Sequence, residues 1–229
     1  MKTPPKKHNL LVVAHPDDET IFCGGLLQVY RRRPWKVVCV TDGNADNQGE
    51  MRRQEFLNAC KDLKVKDMAM WDFPDRYNTR LDVNALVERL SQESGAEIFT
   101  HGILGEYGHP HHQDVSLAVH RLFKPRRIPV WSMAYNCFAE KSFRLPRKAY
   151  ERKCKILSQT YFSQTKNFSQ FLPAHNQEGF VQVELAEVEA LHAFLAHGQN
   201  LTAGSPLKTY AWFHPYLENF RKNTEQRPF

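Results

Sequence analysis

One imidazole and three carboxylates stand together in Ala14-His15-Pro16-Asp17-Asp18-Glu19, directly after the apolar run Leu10-Leu11-Val12-Val13. A related cluster, Tyr107-Gly108-His109-Pro110-His111-His112, follows another apolar segment much later in the chain. Two imidazole nitrogens and one carboxylate oxygen hold a divalent metal while keeping a position open for water, whose pKa falls to about 7 on zinc. His15, Asp18 and His112 supply that set. His15 and Asp18 are three residues apart across a turn that Pro16 initiates, so both side chains can converge on one point while Asp17 points elsewhere. A carboxylate beside the ligands but outside them suits a general base, which takes a proton from the attacking water. His109 and His112 repeat the i, i+3 relation. That leaves a protonated His109 to stabilise an oxyanion or protonate a leaving amine, and Tyr107 to donate to a polarised carbonyl. His111 stays open as a ligand in an alternative register. Each motif alone also has a structural reading, because Asp is a favoured N-cap, acidic residues suit a first helical turn, and the histidines can form a turn before a helix. Placement of both motifs after separate strands favours the metal site.

Such a site needs elements that bring two distant segments together. The first 135 residues alternate apolar, β-branched runs with helix-like segments, the signature of βαβ units. Strands are expected at 10–14, 36–41, 68–73, 97–101 and 130–135, and helices at 20–32, 50–63, 83–94 and 113–123. Leu86, Val87 and Leu90 form one core-facing stripe, as do Val115, Ala118, Val119 and Leu122. The fold class is therefore α/β and Rossmann-like, a mostly parallel sheet flanked by helices. Ligands of such sheets bind beyond the carboxyl ends of the strands, where both motifs stand. After Tyr135 the alternation weakens. Residues 147–160 and 184–196 look helical, and 163–173 is polar and aromatic without a clear period. One domain over residues 1–229 is expected, its C-terminal third (about 136–229) forming helical and loop additions.

Composition agrees with a globular protein. With 229 residues, 41% hydrophobic and 12% aromatic, the chain can bury a full core. Its apolar runs are far shorter than the roughly 20 residues of a membrane span. Met1 to Lys7 is basic but lacks the apolar region and cleavage site of a secretory signal, so a cytoplasmic location is expected. The five cysteines are widely spaced with no C-x-x-C pair, which points to buried free thiols. A net charge of +6 is spread over small clusters such as Arg31-Arg32-Arg33, which is expected to close a helix. Solvated faces account for these better than nucleic acid, an unlikely partner.

At the two motifs the chain resembles the zinc-dependent N-deacetylases of the PIG-L or LmbE-like family, whose signatures are Ala/Pro-His-Pro-Asp-Asp-Glu and a later His-x-x-His. The resemblance covers roughly residues 9 to 123, including Thr100-His101-Gly102 and Gly105 to Pro110, with weaker echoes to Gln164. It implies an LmbE-like fold, zinc (or another divalent metal such as Fe2+) on His15, Asp18 and His112, and Asp17 as the base. His109 becomes the oxyanion stabiliser or general acid, Tyr107 assists at the substrate carbonyl, and Arg52 and Asp75 resemble residues that contact sugar hydroxyls. Arg52 also reads as a helix-surface residue, and Asp75 as a turn starter. One departure stands out. Many relatives have His-Pro-Asp-His where this chain has His109-Pro110-His111-His112, and a neutral His111 cannot hold His109 protonated as an aspartate would.

The expected function is removal of an acetyl group from an N-acetylated amino sugar, an N-acetylglucosamine-type conjugate, by metal-bound water that Asp17 activates. The partner is then that small-molecule conjugate; homo-oligomerisation is left open. Two rivals are a non-catalytic sugar- or nucleic-acid-binding protein on the same fold and a metal-dependent phosphoesterase. Asp42 to Asp46 reads as a loop on the site rim or, equally, as a simple solvated turn; a nicotinamide site is not expected, because no G-x-G-x-x-G follows the first strand. His101 reads as support for a ligand or as a core-edge histidine, and His192 and His197 lack a trusted ligand spacing. Tyr161, Phe162, Phe168, Phe171, Tyr210, Trp212, Phe213 and Tyr216 read chiefly as packing, with a sugar-stacking cleft as the alternative.

Overall fold

β1 (Asn9–Val13) is buried at all its positions, as a central strand of a sheet covered on both faces must be. In the computed structural model, residues 8–77, 79–202 and 204–215 are described; Met1 to Lys7 and Tyr216 lie outside them. The strands that follow are β2 (Trp35–Thr41), β3 (Asp67–Phe73), β4 (Ile98–Thr100), β5 (Val130–Met133), β6 (Lys141–Arg144) and β7 (Gln177–Val181). They form one sheet in the order β3-β2-β1-β4-β5-β7-β6. β1 to β5 pair in parallel, whereas β7 runs antiparallel to both β5 and β6. The chain winds outward from β1 through β2 and β3, then returns to the other side of β1 with β4. The carboxyl ends of β1 and β4 therefore flank a topological switch point, where an open sheet leaves a crevice.

Alternating side chains of β1 feed two cores. Leu11 and Val13 pack with Ile21, Leu26 and Leu27 of α1 (Asp18–Val29) and with Phe56, Ala59 and Cys60 of α2 (Gly49–Asp62). Leu10, Val12 and Ala14 pack on the opposite face with Leu86 and Leu90 of α3 (Val83–Leu90). Val115, Ala118, Val119 and Leu122 of α4 (Pro110–Phe123) join the same cluster, so the α4 stripe is buried, while in the α3 stripe Leu86 and Leu90 are buried and Val87 packs half-buried against them. Fully burying a Leu or Val side chain contributes roughly 1.5–3 kcal/mol, so β1 anchors both layers.

Two boundaries bear on the site. α4 starts at Pro110 rather than at 113, because proline is pre-organised for a first helical position; His111 and His112 thus lie in its first turn. α1 starts at Asp18 and ends at Val29, so Arg31 to Arg33 follow the helix instead of closing it.

The expectation that the C-terminal third adds only helices and loops is corrected by β6 and β7. β6 is a short, mostly exposed edge strand with a basic residue at each end, a pattern that protects a sheet edge and carries no apolar alternation to read. Around these strands lie α5 (Arg147–Lys155), a π-helical turn (Ile156–Thr160), the short α6 (Phe162–Thr165) and α7 (Leu185–His197). Lys153 of α5 is fully buried and pairs at 2.9 Å with Glu178 of β7, whose carboxylate also accepts from the Gly25 and Leu26 N–H groups of α1. Val188 and Leu191 of α7 pack with Leu117 of α4. The five cysteines are free, with Cys23, Cys39 and Cys60 buried and Cys137 and Cys154 half-buried. No helix among the described residues is long and apolar enough to cross a membrane.

His120 of α4 is buried, with Nδ1–H donating to the Ser116 carbonyl at 2.7 Å and Nε2 at 3.3 Å from the Ser132 hydroxyl of β5. Burial pushes its pKa from 6.5 down to about 4. The neutral ring's contribution is complete above pH 6.5 and is lost as pH falls toward 4, by up to about 3 kcal/mol. His120→Gln should therefore remove part of the stability loss between pH 7 and 5 in chemical denaturation. An identical pH slope in both proteins would contradict this.

Candidate metal centre and active site

The turn after β1 is strained. Asp17 adopts φ 112°, a region that L-residues avoid, and its side chain makes no cap hydrogen bond to α1 although it holds the N-cap position. Asp17 therefore does not cap α1 through its side chain, whereas Asp18 and Glu19 do stand in the first turn of the helix, as the other half of that reading expects. A conformation like that of Asp17 costs about 1–3 kcal/mol and persists only where its surroundings hold it. Here Glu19, fully buried, accepts the Asp17 N–H at 3.1 Å and is itself held by the Thr20 hydroxyl at 2.5 Å and the Tyr161 hydroxyl at 2.9 Å. Burial pushes the Glu19 carboxyl up to about 7. Arg52 of α2 donates to the Pro16 carbonyl and sits 3.3 Å from Asp17 Oδ2. It is 6% exposed, which overturns its reading as a helix-surface residue. Burial raises the Asp17 carboxyl to about 6 against the pull of Arg52.

The second motif is shaped by a loop that needs glycine. Gly105 has φ +74°, and a Cβ there would lie 2.5 Å from the His109 carbonyl oxygen. Its own carbonyl accepts the N–H groups of Gly108 and His109. His109 caps α4 through Nδ1, which accepts the His111 N–H at 3.2 Å. The helix-start reading thus holds for this residue. An accepting Nδ1 leaves any ring hydrogen on Nε2, and burial beside His15 and His112 depresses the ring's pKa to about 2. The expected protonated His109 is corrected to a neutral donor.

The structure brings His15, Asp18 and His112 together. His15 Nδ1 lies 3.3 Å from Asp18 Oδ2 and 3.2 Å from His112 Nε2, and the last two atoms are 3.3 Å apart. Ligands about 2.0–2.1 Å from a tetrahedral zinc are separated by about 3.3–3.4 Å, so this triangle fits such an ion. Other trios of ligating atoms also fall within 4.8 Å of one another: His15, His109 and His112; His15, Asp75 and His111; Asp18, His101 and His112. Hydrogen bonding excludes His101, whose Nε2 accepts the Ala14 N–H at 2.9 Å and whose Nδ1–H donates to Glu106 at 3.0 Å. His101 is therefore a supporting residue. Nδ1 of His112 likewise donates to Glu106, at 2.6 Å, which turns the Nε2 lone pair toward His15 and Asp18. On its outer side His15 Nε2 lies 3.1 Å from His111 Nδ1, and His111 Nε2–H donates to the Thr79 carbonyl at 2.9 Å.

A cavity of about 310 Å³ opens onto this cluster, lined among others by His15, Asp17, Asp46, Arg52, Asp75, Tyr107, His109, Gln164, Asn167 and Phe168. Asp46, from the expected rim loop, accepts from the Tyr77 hydroxyl at 2.7 Å. Asp75 is anchored through its N–H to Asp42 Oδ1 at 3.0 Å, and its carboxylate lies 3.5 Å from His15 Nε2. Tyr107 is 62% exposed, with its ring edge-on to His109 and His112. Of the C-terminal aromatics Phe168 reaches the cavity, whereas Tyr210 and Phe213 are core and Phe162 and Phe171 are exposed. Trp212 donates to the Asn136 carbonyl. His192 bonds to Asp114 at 2.8 Å, away from the cavity. The support provided by Glu19, Glu106 and Tyr161 went unread in the sequence. For the first two, position inside the motifs was the available signal.

The switch-point crevice and its His-Asp-His triangle define an α/β protein built around a candidate metal centre. Residues 10–123 match the family model described as PIG-L, GlcNAc-PI de-N-acetylase, and the chain carries a PIG-L family domain. It is 32% identical to N-acetylglucosaminyl-phosphatidylinositol de-N-acetylase of Bos taurus, covering 52% of this chain and 52% of that protein. It is 29% identical to 1D-myo-inositol 2-acetamido-2-deoxy-alpha-D-glucopyranoside deacetylase 1 of Saccharopolyspora erythraea, covering 49% and 51% of the two chains. The chain thus spans about half the length of these relatives. N,N'-diacetylchitobiose deacetylase from Pyrococcus horikoshii shares the fold with TM-score 0.63 at 19% identity, over 78% of this chain and 84% of that one.

Glu106→Ala should weaken zinc binding by about 10–100-fold, because it frees the rings of both His112 and His101. Isothermal titration with ZnCl2 reads this directly, and unchanged affinity would remove Glu106 from the support of the centre.

Proposed function

We propose that the chain hydrolyses the amide of an N-acetylated amino sugar, releasing acetate from an N-acetylglucosamine-type conjugate. The observation that carries this reading is the triangle of His15, Asp18 and His112 with an uncoordinated carboxylate, Asp17, beside it. The donor set fits zinc, and two nitrogens with one oxygen also suit Fe2+. A divalent ion bound there supplies Lewis acidity and lowers the pKa of a water it holds.

Asp17 accepts the proton of the attacking water. Its strained turn, pinned by Glu19 and Arg52, keeps the carboxylate out of the ligand set and aimed into the cavity. His109 Nε2–H and the Tyr107 hydroxyl donate to the oxyanion of the tetrahedral intermediate, where preorganised donors act strongly. Because His109 is neutral, the proton for the leaving amine is the one that Asp17 took. Asp75, Gln164 and Asn167 offer polar groups to sugar hydroxyls, and Phe168 offers a ring face. Arg52, with its guanidinium committed to Pro16 and Asp17, orients the base and flanks the substrate. The geometry favours hydrolysis over simple binding, since a binding protein has no need of a held base beside a ligand triangle. A cytoplasmic setting belongs to the same reading.

Acetate release from a panel of N-acetylglucosamine conjugates tests the activity. Asp17→Ala should lower turnover by about 10²–10⁴-fold with zinc content retained; full turnover would refute the base. His112→Ala should lose zinc on dialysis. Undiminished metal would refute that ligand.

A further inference from the structure

His111, in the first turn of α4, places a second set of ligating atoms on the far side of the His15 ring. We propose that His15 Nε2, His111 Nδ1 and Asp75 Oδ1 form a second divalent-cation site, sharing His15 with the first and selective for a zinc-like ion.

The three atoms are separated by 3.1 Å (His15 to His111), 3.5 Å (His15 to Asp75) and 3.6 Å (His111 to Asp75). These edges bracket the separation of about 3.3–3.4 Å that a tetrahedral zinc requires. The His111 tautomer is set for ligation, because its Nε2–H is committed to the Thr79 carbonyl and Nδ1 carries the lone pair. A backbone carbonyl behind a ligating imidazole is the usual outer support of a metal-bound histidine. Asp75 forms part of the cavity wall, which gives an ion a path in. Charge favours a cation there, since the Asp75 carboxylate faces both rings. Two imidazole nitrogens and a carboxylate select a borderline ion such as Zn2+ or Co2+ over Mg2+ or Ca2+.

On binding, the ion takes the place of the proton between His15 Nε2 and His111 Nδ1. That proton leaves to solvent, and His15 becomes a bridge between two cations. An intervening imidazole keeps them further apart than the roughly 3.5–4 Å of two-metal catalytic clamps. The second ion is therefore inhibitory: it draws the Asp75 carboxylate away from the sugar pocket. This consequence rests on the proposed function, whereas the site itself does not.

The test is zinc stoichiometry of the full chain, by calorimetry with ZnCl2 and by metal analysis after dialysis. Wild type should bind two equivalents, with acetate release peaking at the first and falling as the second binds. His111→Asn keeps an acceptor for His15 Nε2–H and should weaken the second equivalent at least about tenfold, whereas His112→Ala should remove the other. A wild type that saturates at one equivalent, lost in His112→Ala and kept in His111→Asn, overturns the second site and leaves the first. A second equivalent unaffected by His111→Asn also overturns it. An equivalent lost in His111→Asn but kept in His112→Ala supports this site and instead overturns the ligand set of the proposed function.

Discussion

The Glu106 carboxylate is buried beneath the site and receives Nδ1–H of His112, Nδ1–H of His101 and the Gly102 N–H, at 2.6, 3.0 and 2.8 Å. A buried charge is tolerated only when its lone pairs are satisfied, and removing a partner is strongly destabilising. These bonds select the tautomers of both histidines. His101 must then accept the Ala14 N–H at the end of β1, and His112 must present Nε2 to His15 and Asp18. The junction of β1, β4 and α4 and the ligand triangle are thus one construction.

A second constraint reaches the site from further along the chain. Tyr161, at the end of the π-helical turn, holds Glu19, and Glu19 holds the strained Asp17. Lys153 and Glu178 lock α5 and β7 onto the middle of α1. The C-terminal third therefore supports the motif that opens the chain as well as lining the cavity. π-helical segments are frequent at functional sites, and Tyr161 directly follows one here.

Much of the fold was legible because its signals are local. Parallel strands buried on both faces read as short apolar runs, and Leu86, Leu90, Val115 and Val119 repeat at helical spacing. β6 escaped reading because it lies exposed at the sheet edge and, among the described residues, pairs with β7 alone, which is distant in sequence. The α4 boundary shifted because Pro110 starts the helix it was expected to precede. Shared folds do not carry chemistry; function depends on the atoms placed at the switch point.

The sequence by itself determined the candidate donor types, their order and the βαβ frame, because donor chemistry and strand periodicity depend on residue identity and near-neighbour spacing. Tertiary structure decided how four neighbouring histidines are oriented. His15, His109, His111 and His112 offer the same two nitrogens. Their lone pairs are assigned by Glu106, by the Thr79 carbonyl and by the first turn of α4, partners set by packing and invisible to spacing. The same holds for the two aspartates after Pro16. Only the backbone twist at Asp17, held from across the molecule, separates the carboxylate in the triangle from the one beside it.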